Sequence, residues 1–425
     1  MRYTKLRILY TCVFYLLTPL LLLRLYWKSL KAPAYRKRWL ERFGFYRQKY
    51  QQDVIWLHAV SVGEAEALFP LIQYIQNLHP HTPLLVTCTT TTGSKRINTV
   101  LQDTVAHVYL PYDMPDAVFR FMHCFRPRMA VFVETEIWPN VYAYCGAHNI
   151  PLYLINARLS SKSCRNYQKI ASLIAPALHS IKLIACQTVD DANRFMAIGA
   201  HKKQIQAVGN IKFDIVVPQQ LIERGIAIKL DLLLNRPVWL IASTHKGEEV
   251  QLIKIYLALK AKMPQLLLVI APRHPERFGD VNKLCVQHNL AVISYTSGLA
   301  CQAGTEVFLV DTIGELKQFY VAADVAFVGG SLVDIGGHNI LEPAALGTPI
   351  LFGPYMSNFK QIADDLTGKR AAIQCLSSAE IAEAVTLMLN HPGQKAALVA
   401  NAKDYVAKNL GAIERTYQIL LADIK

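Results

Sequence analysis

The stretch DVAFV (324–328), followed by GGSLVDIGGHNILEP (329–343), indicates the fold of this chain most directly. The first part is apolar enough to form a buried parallel strand, and the two glycine pairs predict a loop leading to a short helix that opens near Asn339. Glycines let backbone N–H groups approach a ligand, and a helix start offers donors to a phosphate. Glu342, about one turn into that helix, can accept hydrogen bonds from ribose hydroxyls. The stretch favours a nucleotide-sugar site, although on spacing alone a simple strand-to-helix turn explains the glycines equally well.

Strand-like and helix-like segments alternate from residue 54 onward, which predicts parallel sheets covered by helices on both faces. A stretch from Pro218 to Pro237 divides them into two series, and 425 residues exceed the usual size of one domain. We therefore predict an α/β protein with two doubly wound Rossmann-like domains, 28–217 and 218–425, facing a cleft where ligands bind, with the C-terminal helices packing back on the first domain. The predicted strands are Val54–His58, Leu84–Thr87, His107–Leu110, Met129–Val133, Leu152–Ile155, Leu183–Cys186 and Gln206–Val208, and then Val238–Ala242, Leu266–Ile270, Ala291–Ile293, Val307–Val310, Asp324–Val328 and Pro349–Phe352.

The first 50 residues differ from the rest in charge and hydropathy. They hold twelve Lys and Arg against the single acid Glu41, which is +11 of the net charge of +14. An uncharged run of sixteen residues, 8–23, lies in a chain whose mean hydropathy is +0.21. Sixteen is short for a bilayer span, which needs about 20 apolar residues, and Pro19 is expected to kink the helix. We predict a membrane-anchoring helix within 1–27; a cleaved signal peptide is the alternative, but no small-x-small site follows.

The basic residues beside the apolar run indicate which partners to expect. Positive charge after a membrane helix places the body of the protein on the cytoplasmic side, with anionic lipid as the partner. Nucleic acid is the alternative partner, but the chain carries no nucleic-acid motif and its other residues are nearly neutral. The nine cysteines are scattered, odd in number and lack a C-x-x-C pair, so neither zinc nor a disulfide framework is predicted.

The first predicted strand ends in HAVSVGE (58–64). We expect Gly63 to permit a tight turn and Glu64 to point from the helix start into the cleft. A carboxylate there stays ionised in the field of the helix dipole and is placed to take a proton from an acceptor hydroxyl. An isolated Ser-x-Gly-Glu also fits a glutamate that only caps the helix.

Two further strands of the first domain end in charged residues. Glu134 follows the fourth strand as a second carboxylate, whereas Glu136 fits a simple helix cap. Lys212 and Asp214 follow the last strand. Lys212 can hold a substrate carboxylate or phosphate with Asp214 orienting it; a solvated lysine between the domains is the alternative.

Three segments of the second domain offer groups for a nucleotide. Residues 243–248 can cap a helix around an anion, and Arg273 presents a planar fork for a phosphate or a base carbonyl. Residues 311–316 supply Gly314 near the nucleotide. No two aspartates lie two positions apart, so no D-x-D site for a divalent metal is predicted. A monophosphate leaving group needs less charge compensation than a diphosphate, and Lys, Arg and helix starts can supply it.

Nine sequence blocks, each weak alone, occur in order along nearly the whole chain. They are KAPAYRKR (31–38), HAVSVGE (58–64), VYLPYD (108–113), ETEIWPN (134–140), NARLS (156–160), GNIKFD (209–214), STHKGEE (243–249), APRHPERF (271–278) and GGHNILE (336–342). Together they closely resemble the 3-deoxy-D-manno-octulosonic acid (Kdo) transferases of lipopolysaccharide assembly. The resemblance implies a glycosyltransferase-B fold and CMP-Kdo as the donor substrate; because no D-x-D is present, we expect activity without a metal, and no cofactor is predicted. It implies a general base at Glu64, transition-state stabilisers at Glu134 and Lys212, and CMP contacts at Pro272, Arg273, Ile313, Gly314, Glu315, Asn339, Ile340, Leu341 and Glu342.

The same resemblance implies an inverting sugar transfer at the cytoplasmic face of the cell inner membrane. Glu64 would deprotonate a hydroxyl on the sugar head of a lipid A precursor, lipid IVA, which attacks the anomeric carbon of Kdo and displaces CMP. Lys212 would balance negative charge on Kdo or CMP. Two rivals stay open: a nucleotide-sugar epimerase of the same fold, which needs no anchor, and a non-enzymatic membrane-tethered adaptor, which leaves the polar residues at the strand ends without a purpose.

Overall fold

A computed structural model describes residues 5–31, 38–46 and 53–424 of the chain. It divides into two compact units, the first made of the chain up to Asp214 together with Leu410–Lys425 and the second of Ile215–Asn409. Both units are α/β, as the alternating pattern predicts. Most of the block KAPAYRKR, and several of the basic residues that follow it before residue 53, lie outside the described residues.

Two helices, α1 (Lys5–Leu16) and α2 (Thr18–Lys31), begin the first unit. The helix expected here, with a kink at Pro19, is instead a pair of helices separated by a break at Leu17. Pro19 kinks no helix interior; it is the second residue of α2, where its missing N–H costs no helical hydrogen bond. Within the described residues no single helix is long and apolar enough to cross a membrane, and Lys5–Leu16 with Thr18–Trp27, bent by 45°, reach that length and composition only as a pair.

The first unit contains a sheet of seven parallel strands: β1 (Ile55–His58), β2 (Leu84–Cys88), β3 (Ala106–Tyr109), β4 (Met129–Val133), β5 (Leu152–Ala157), β6 (Leu183–Cys186) and β7 (Ile205–Ala207). Their order is β3-β2-β1-β4-β5-β6-β7, so the order reverses between β1 and β4. In a doubly wound sheet, ligands bind at that reversal, outside the carboxyl ends of the strands. The helices between these strands are α3 (Val62–Leu78), α4 (Thr91–Leu101), α5 (Pro115–Phe125), α6 (Pro139–Ala147), α7 (Ser161–Gln168), α8 (Ala171–His179) and α9 (Val189–Ala197).

The second unit repeats the arrangement with β8 (Val238–Thr244), β9 (Leu267–Pro272), β10 (Val292–Ser294), β11 (Val307–Leu309), β12 (Val325–Val328), β13 (Ile350–Phe352) and β14 (Ile373–Gln374). The order is β10-β11-β9-β8-β12-β13-β14, all parallel, with the reversal between β8 and β12. The two-residue strand β14 was not expected, because so short a pairing leaves no apolar run in the sequence. The remaining helices are α10 (Gln219–Ala227), α11 (Glu248–Lys260), α12 (Phe278–Gln287), α13 (Leu316–Ala322), α14 (Leu341–Leu346), α15 (Lys360–Gly368), α16 (Ser378–Asn390), α17 (Pro392–Lys408) and, in the first unit, α18 (Ala412–Ile424).

Neighbouring side chains of each strand pack on opposite faces of its sheet. In β1, Leu57 joins a buried cluster with Leu68 of α3 and Leu420 of α18, while Trp56 packs on the other face against Phe121 of α5. Burial on both faces explains why the strands are almost continuously apolar. The polar residues that remain at the carboxyl ends of the strands are therefore candidates for function.

Candidate active site

The carboxyl end of β1 leads into α3, whose first turn carries Glu64. Ser61 caps the helix: its Oγ accepts the Glu64 N–H at 3.3 Å. The Glu64 carboxylate turns back and accepts the Val60 N–H at 2.7 Å and the Ser61 hydroxyl at 2.9 Å. Glu64 therefore does stabilise the start of α3, through Ser61 and through the N–H of Val60, the residue before the cap. The cap uses both carboxylate oxygens, but the residue keeps 8% of its surface exposed, so capping and proton transfer are compatible.

Gly63 does not make the tight turn that we expected. It lies inside the first turn of α3, and a Cβ added there would meet nothing nearer than the Ser61 Oγ at 3.9 Å. A side chain at position 63 would therefore meet no close neighbour.

The pKa of Glu64 depends on burial and on neighbouring charges as well as on its place at a helix start. Burial raises the pKa of Glu64 above its ordinary value, and this outweighs the hydrogen bonds that lower it. The charge of Glu134 raises the same pKa further and the charge of Lys212 lowers it, which places these three groups in one cluster. A raised pKa makes Glu64 a stronger base when it is ionised, as proton abstraction near neutral pH requires.

Glu134 follows β4, on the other side of the strand reversal from Glu64. Its backbone N–H donates to the Ile155 carbonyl at 3.0 Å and its φ is +61°, in the left-handed region. A non-glycine residue pays about 1–2 kcal/mol for that conformation, and such strain concentrates at functional sites. The Glu134 carboxylate accepts a hydrogen bond from the Lys212 ammonium at 2.8 Å, between side chains that are 21% and 19% exposed.

Lys212 is held by residues that the sequence pattern did not single out. It lies in a 3-10 turn, Ile211–Phe213, whose cap Asn210 accepts the Lys212 N–H at 3.0 Å. The fully buried Asn156, at φ +50°, accepts the Ile211 N–H on its Oδ1 at 3.1 Å. Asn156 therefore fixes the turn that presents Lys212. The block NARLS contains this asparagine, but nothing in its spacing predicts a hydrogen bond to a residue 55 positions later.

Asp214 does not orient Lys212 as we expected. One of its carboxylate oxygens accepts the Gly411 N–H at 2.6 Å and the other accepts the Ile413 N–H, at the start of α18. Asp214 thus caps the last helix of the chain, where a negative charge is favoured by the helix dipole.

Glu136 is a candidate that the sequence reasoning set aside as a helix cap. Its carboxylate instead accepts the Trp138 indole N–H at 3.1 Å, and its carbonyl accepts the Tyr142 hydroxyl. Burial, and then the charge of Glu64, raises the pKa of Glu136 to about 7. This raised pKa allows Glu136 to carry a proton near neutral pH, close to the carboxylate expected to act as a base. The sequence does indicate a second functional carboxylate here, through the Glu-x-Glu spacing directly after a strand.

In the second unit, the side chain of Glu248 binds backbone N–H groups of the glycine loop that follows β12. Its fully buried carboxylate accepts the N–H groups of Gly330 at 2.7 Å, Ser331 at 3.0 Å and Leu332 at 2.9 Å, and also that of His245 at 2.9 Å. We expected residues 243–248 to cap a helix around an anion and the glycines to bring their N–H groups to a ligand. In the structure, the anion at these N–H groups is the carboxylate of Glu248 itself. A ligand phosphate must use other donors.

Arg273 lies just after Pro272, the last residue of β9, and its N–H donates to the Thr244 carbonyl at 3.1 Å. Next to it, His245 and His338 share a hydrogen bond of 2.8 Å between their Nε2 atoms. Burial, and then the charge of Arg273, lowers the pKa of His338 to about 3, so this imidazole is neutral. Among the described residues, no group of three or more His, Cys, Asp or Glu side chains is placed to hold a metal ion.

The segment before α13 presents a mostly open backbone. Gly314 has a φ of +102°, and a Cβ added there would meet nothing within 4 Å, while Ile313 is 58% exposed. Glu315 is already engaged: its carboxylate lies 3.6 Å from Arg224 and accepts the Gln318 amide at 2.6 Å. The backbone around Gly314 is therefore open to a ligand.

The helix after the glycine loop, α14, begins at Leu341, two residues later than expected. Asn339 caps it, because its Oδ1 accepts the Leu341 N–H at 3.0 Å. Ile340 and Leu341 are fully buried, so their side chains face the core. Glu342 lies in the first turn rather than one turn in, and its carboxylate is 3.9 Å from the Lys317 ammonium.

Comparison with known proteins identifies the family. A family model described as 3-Deoxy-D-manno-octulosonic-acid transferase (kdotransferase) matches residues 37–215. The chain is 36% identical to the 3-deoxy-D-manno-octulosonic acid transferase of Haemophilus influenzae over 417 residues, which are 97% of this chain and 98% of that protein. It is 33% identical to the 3-deoxy-D-manno-octulosonic acid transferase of Bordetella pertussis over 376 residues, 86% of each.

Solved structures bear on the fold. The UDP-GlcNAc 2-epimerase of Neisseria meningitidis bound to UDP-GlcNAc superposes with a TM-score of 0.55, covering 88% of this chain and all of that one at 16% identity. At that identity the likeness concerns the fold alone, and the predicted glycosyltransferase-B fold is confirmed. The curated relatives, matched along most or nearly all of their length, decide the family: the chain belongs to the 3-deoxy-D-manno-octulosonic acid (Kdo) transferase family.

Proposed function

We propose that this protein transfers Kdo from CMP-Kdo to the sugar head of a lipid A precursor, lipid IVA, with inversion at the anomeric carbon and release of CMP. The observation that carries the proposal is the cluster of Glu64, Glu134 and Lys212 at the strand reversal of the first sheet. It combines a buried carboxylate with an ion pair where a doubly wound sheet binds its ligand. Membership of the Kdo transferase family favours this reading over an epimerase or a non-enzymatic adaptor.

In the proposed reaction Glu64 is the general base. It takes the proton of an acceptor hydroxyl, the hydroxyl oxygen forms a bond to the Kdo anomeric carbon, and the bond from that carbon to the CMP phosphate oxygen breaks. Inversion requires one base on the face opposite the leaving group, and one carboxylate supplies it. Its hydrogen bonds to Val60 and Ser61 orient the carboxylate, and its raised pKa matches a base that works near neutral pH.

Lys212 and Glu134 stabilise charge in the transition state in this proposal. The Lys212 ammonium balances the Kdo carboxylate or the departing phosphate, and Glu134 holds it in place at 2.8 Å. A preorganised charge in a partly buried site is effective because little reorganisation is needed at the moment of reaction.

The second unit is proposed to bind CMP. Arg273 would contact the phosphate or the cytosine carbonyl, and the open backbone at Gly314 would approach the nucleotide. Since the side chains of Ile340 and Leu341 are buried, contacts from that segment would come from its backbone and from Glu342, which would accept ribose hydroxyls. A monophosphate leaving group with cationic neighbours needs no divalent metal and no cofactor.

The N-terminal helices are proposed to hold the protein at the cytoplasmic face of the inner membrane. Large apolar side chains on α1 and α2 are exposed, among them Leu9 (57%), Leu16 (78%), Leu20 (61%) and Trp27 (66%). Exposed apolar surface on this scale favours contact with lipid, and the neighbouring Lys and Arg favour an anionic surface. Vesicle flotation tests this: the chain should float with anionic vesicles and far less with zwitterionic ones at physiological salt.

The test of the reaction uses the full-length chain with CMP-Kdo and lipid IVA in mixed micelles. We expect one CMP released for each Kdo found on the lipid by mass spectrometry, and undiminished activity with EDTA. CMP-Kdo consumption without a glycosylated lipid would reject the acceptor, and a strict need for Mg²⁺ would reject the metal-independent leaving group.

A further inference from the structure

Asp113, in the loop after β3, is a buried carboxylate that no catalytic step above uses. It is fully buried and accepts the N–H groups of Asn140 at 2.9 Å and Val141 at 2.8 Å. These amides belong to the first turn of α6, so Asp113 caps that helix from another part of the chain. The Asn140 side chain also donates to the Asp113 carbonyl at 2.7 Å. The loop after β3 and the start of α6 thus form one hydrogen-bonded unit.

The N-terminal helix α1 completes this unit. The Tyr10 hydroxyl donates to the Asp113 carboxylate at 3.0 Å, and the Asn140 side-chain amide donates to the Thr11 hydroxyl at 3.0 Å. Two adjacent residues of α1 therefore reach the same cap. The opposite side of α1 carries exposed apolar residues such as Leu9 and Leu16. Helix α1 therefore has two faces. One is polar and hydrogen-bonds to the rest of the first unit, and the other is apolar and suited to contact with lipid.

The start of α6 is also the end of the acidic segment 134–138. Glu134 is fixed by its N–H bond to Ile155 in the neighbouring strand β5. At the other end, the Tyr142 hydroxyl of α6 donates to the Glu136 carbonyl, and Trp138 immediately precedes the helix. A shift of the first turn of α6 would therefore move Glu136 and, with it, the residues beside Glu64.

We propose that Tyr10 is a positioning residue: by completing the cap at Asp113 it holds the first turn of α6 and the acidic segment 134–138 in place for catalysis. This inference rests on the proposed function of the Glu64 cluster. It makes α1 part of the catalytic unit as well as a membrane contact. Release of α1 from the body would then lower turnover even when both substrates are bound.

Tyr10→Phe in the full-length chain tests the proposal, with Tyr15→Phe as the matched control. Tyr15 lies on the same helix but donates to the exposed Asp116 in the first turn of α5, rather than to the Asp113 carboxylate that caps α6. With CMP-Kdo and lipid IVA, Tyr10→Phe should lower kcat about tenfold while both KM values stay within about twofold, since the loss is one hydrogen bond to a charged group. Tyr15→Phe should change kcat less than about twofold.

The pH profile separates positioning from a general loss of stability. Burial raises the pKa of Asp113 to about 6, and its facing groups are Tyr10 and Arg7 of α1, Tyr142 of α6 and the two α6 amides. Without the Tyr10 hydroxyl the ionised form loses a donor, so this pKa rises. Because the cap needs the ionised carboxylate, the acid limb of kcat reports Asp113 as well as Glu64, and in Tyr10→Phe it should move to higher pH by up to about one unit. Tyr15→Phe should leave it in place.

Each other outcome counts against the proposal. Equal kcat values and equal profiles for the two variants would overturn it, and so would a lower kcat in Tyr10→Phe with an unmoved acid limb and a lowered melting temperature. If Tyr10→Phe does not fold, Thr11→Val removes the second link and carries the same expectation for kcat. A Tyr10→Phe variant as active as the wild type, beside an inactive Glu64→Gln, would reject only the positioning role, whereas a wild-type chain without transfer would remove both.

Discussion

The ion pair between Lys212 and Glu134 offers a quantitative test of the proposed charge stabilisation. The two groups are 2.8 Å apart and about one-fifth exposed, so at an effective dielectric constant of about 20 their Coulomb energy is at most about 6 kcal/mol. Desolvation and lost side-chain freedom reduce this, and hydrogen bonds between charged groups typically contribute about 1.5–3 kcal/mol net. We therefore expect Glu134→Gln and Lys212→Met each to lower kcat about 10²- to 10³-fold. If the two losses were independent, the double variant would lose activity by their product. Because the two groups act together, its activity should be about 10- to 150-fold higher than that.

The assay is a double-mutant cycle on kcat/KM from CMP release, with lipid product measured in parallel. Lys182→Met is the control, because Lys182 pairs with Asp423 at the same 2.8 Å but is 50% exposed and lies outside the cluster. It should leave kcat within about twofold and change the free energy of unfolding by less than about 1 kcal/mol. If the free-energy losses of the two single variants add up to the loss of the double variant within about 0.5 kcal/mol, Glu134 and Lys212 act independently. That result would refute the reasoning.

Three further predictions concern neighbouring groups. Asn156→Ala leaves the buried Ile211 N–H without its acceptor, so it should lower the free energy of unfolding by about 1–3 kcal/mol in urea titrations and also lower kcat, and unchanged values of both would count against this role of Asn156. Because burial and Glu134 raise the pKa of Glu64, kcat/KM should fall as the pH drops through that raised value; Glu134→Gln removes a negative neighbour and should move this acid limb to lower pH, and an unmoved limb would contradict the assignment. Glu248→Gln replaces an acceptor of four N–H groups, so it should lower the melting temperature and weaken CMP binding measured by calorimetry, and unchanged values for both would count against the loop geometry.

The sheets could be predicted from the sequence because their signal is local. Strands buried on both faces need short apolar runs, and thirteen such runs correspond to strands, with ends that coincide or shift by one or two residues. Only β14 lacked this signal, since it is two residues long. The break between α1 and α2 was not predicted. Pro19 predicts a kink when it lies inside a helix, and the sequence does not show that it lies at the start of α2.

The polar residues at strand ends were identifiable for the same reason. Parallel strands bring their carboxyl ends to one edge, so Glu64 and Glu134 were expected near each other, and the structure places both in one cluster with Lys212. Their chemical roles remain proposals. The sign of the Glu64 pKa shift was not accessible, because burial outweighs the hydrogen bonds that lower this pKa, and burial depends on residues far along the chain.

The partners of several polar groups could not be predicted, since they depend on contacts across long stretches of chain. Asp214 meets Gly411 across 197 residues, and Glu248 reaches the glycine loop 82 to 84 residues later. Asp113 meets Tyr10 across 103 residues. In each case the residue type was visible in the sequence, but the partner depended on how the strands are ordered in the sheet.

The central claim is that Glu64 removes the acceptor proton, and Glu64→Gln tests it most directly. The amide keeps the size of the side chain and one acceptor for the Val60 N–H, but it cannot act as a base at neutral pH. The measurement is the single-turnover rate of Kdo transfer to lipid IVA, beside calorimetric binding of CMP-Kdo to the same preparation. We expect the rate to fall at least about 10³-fold while the affinity for CMP-Kdo stays within about threefold. Transfer at a rate within about tenfold of the wild type would contradict the account.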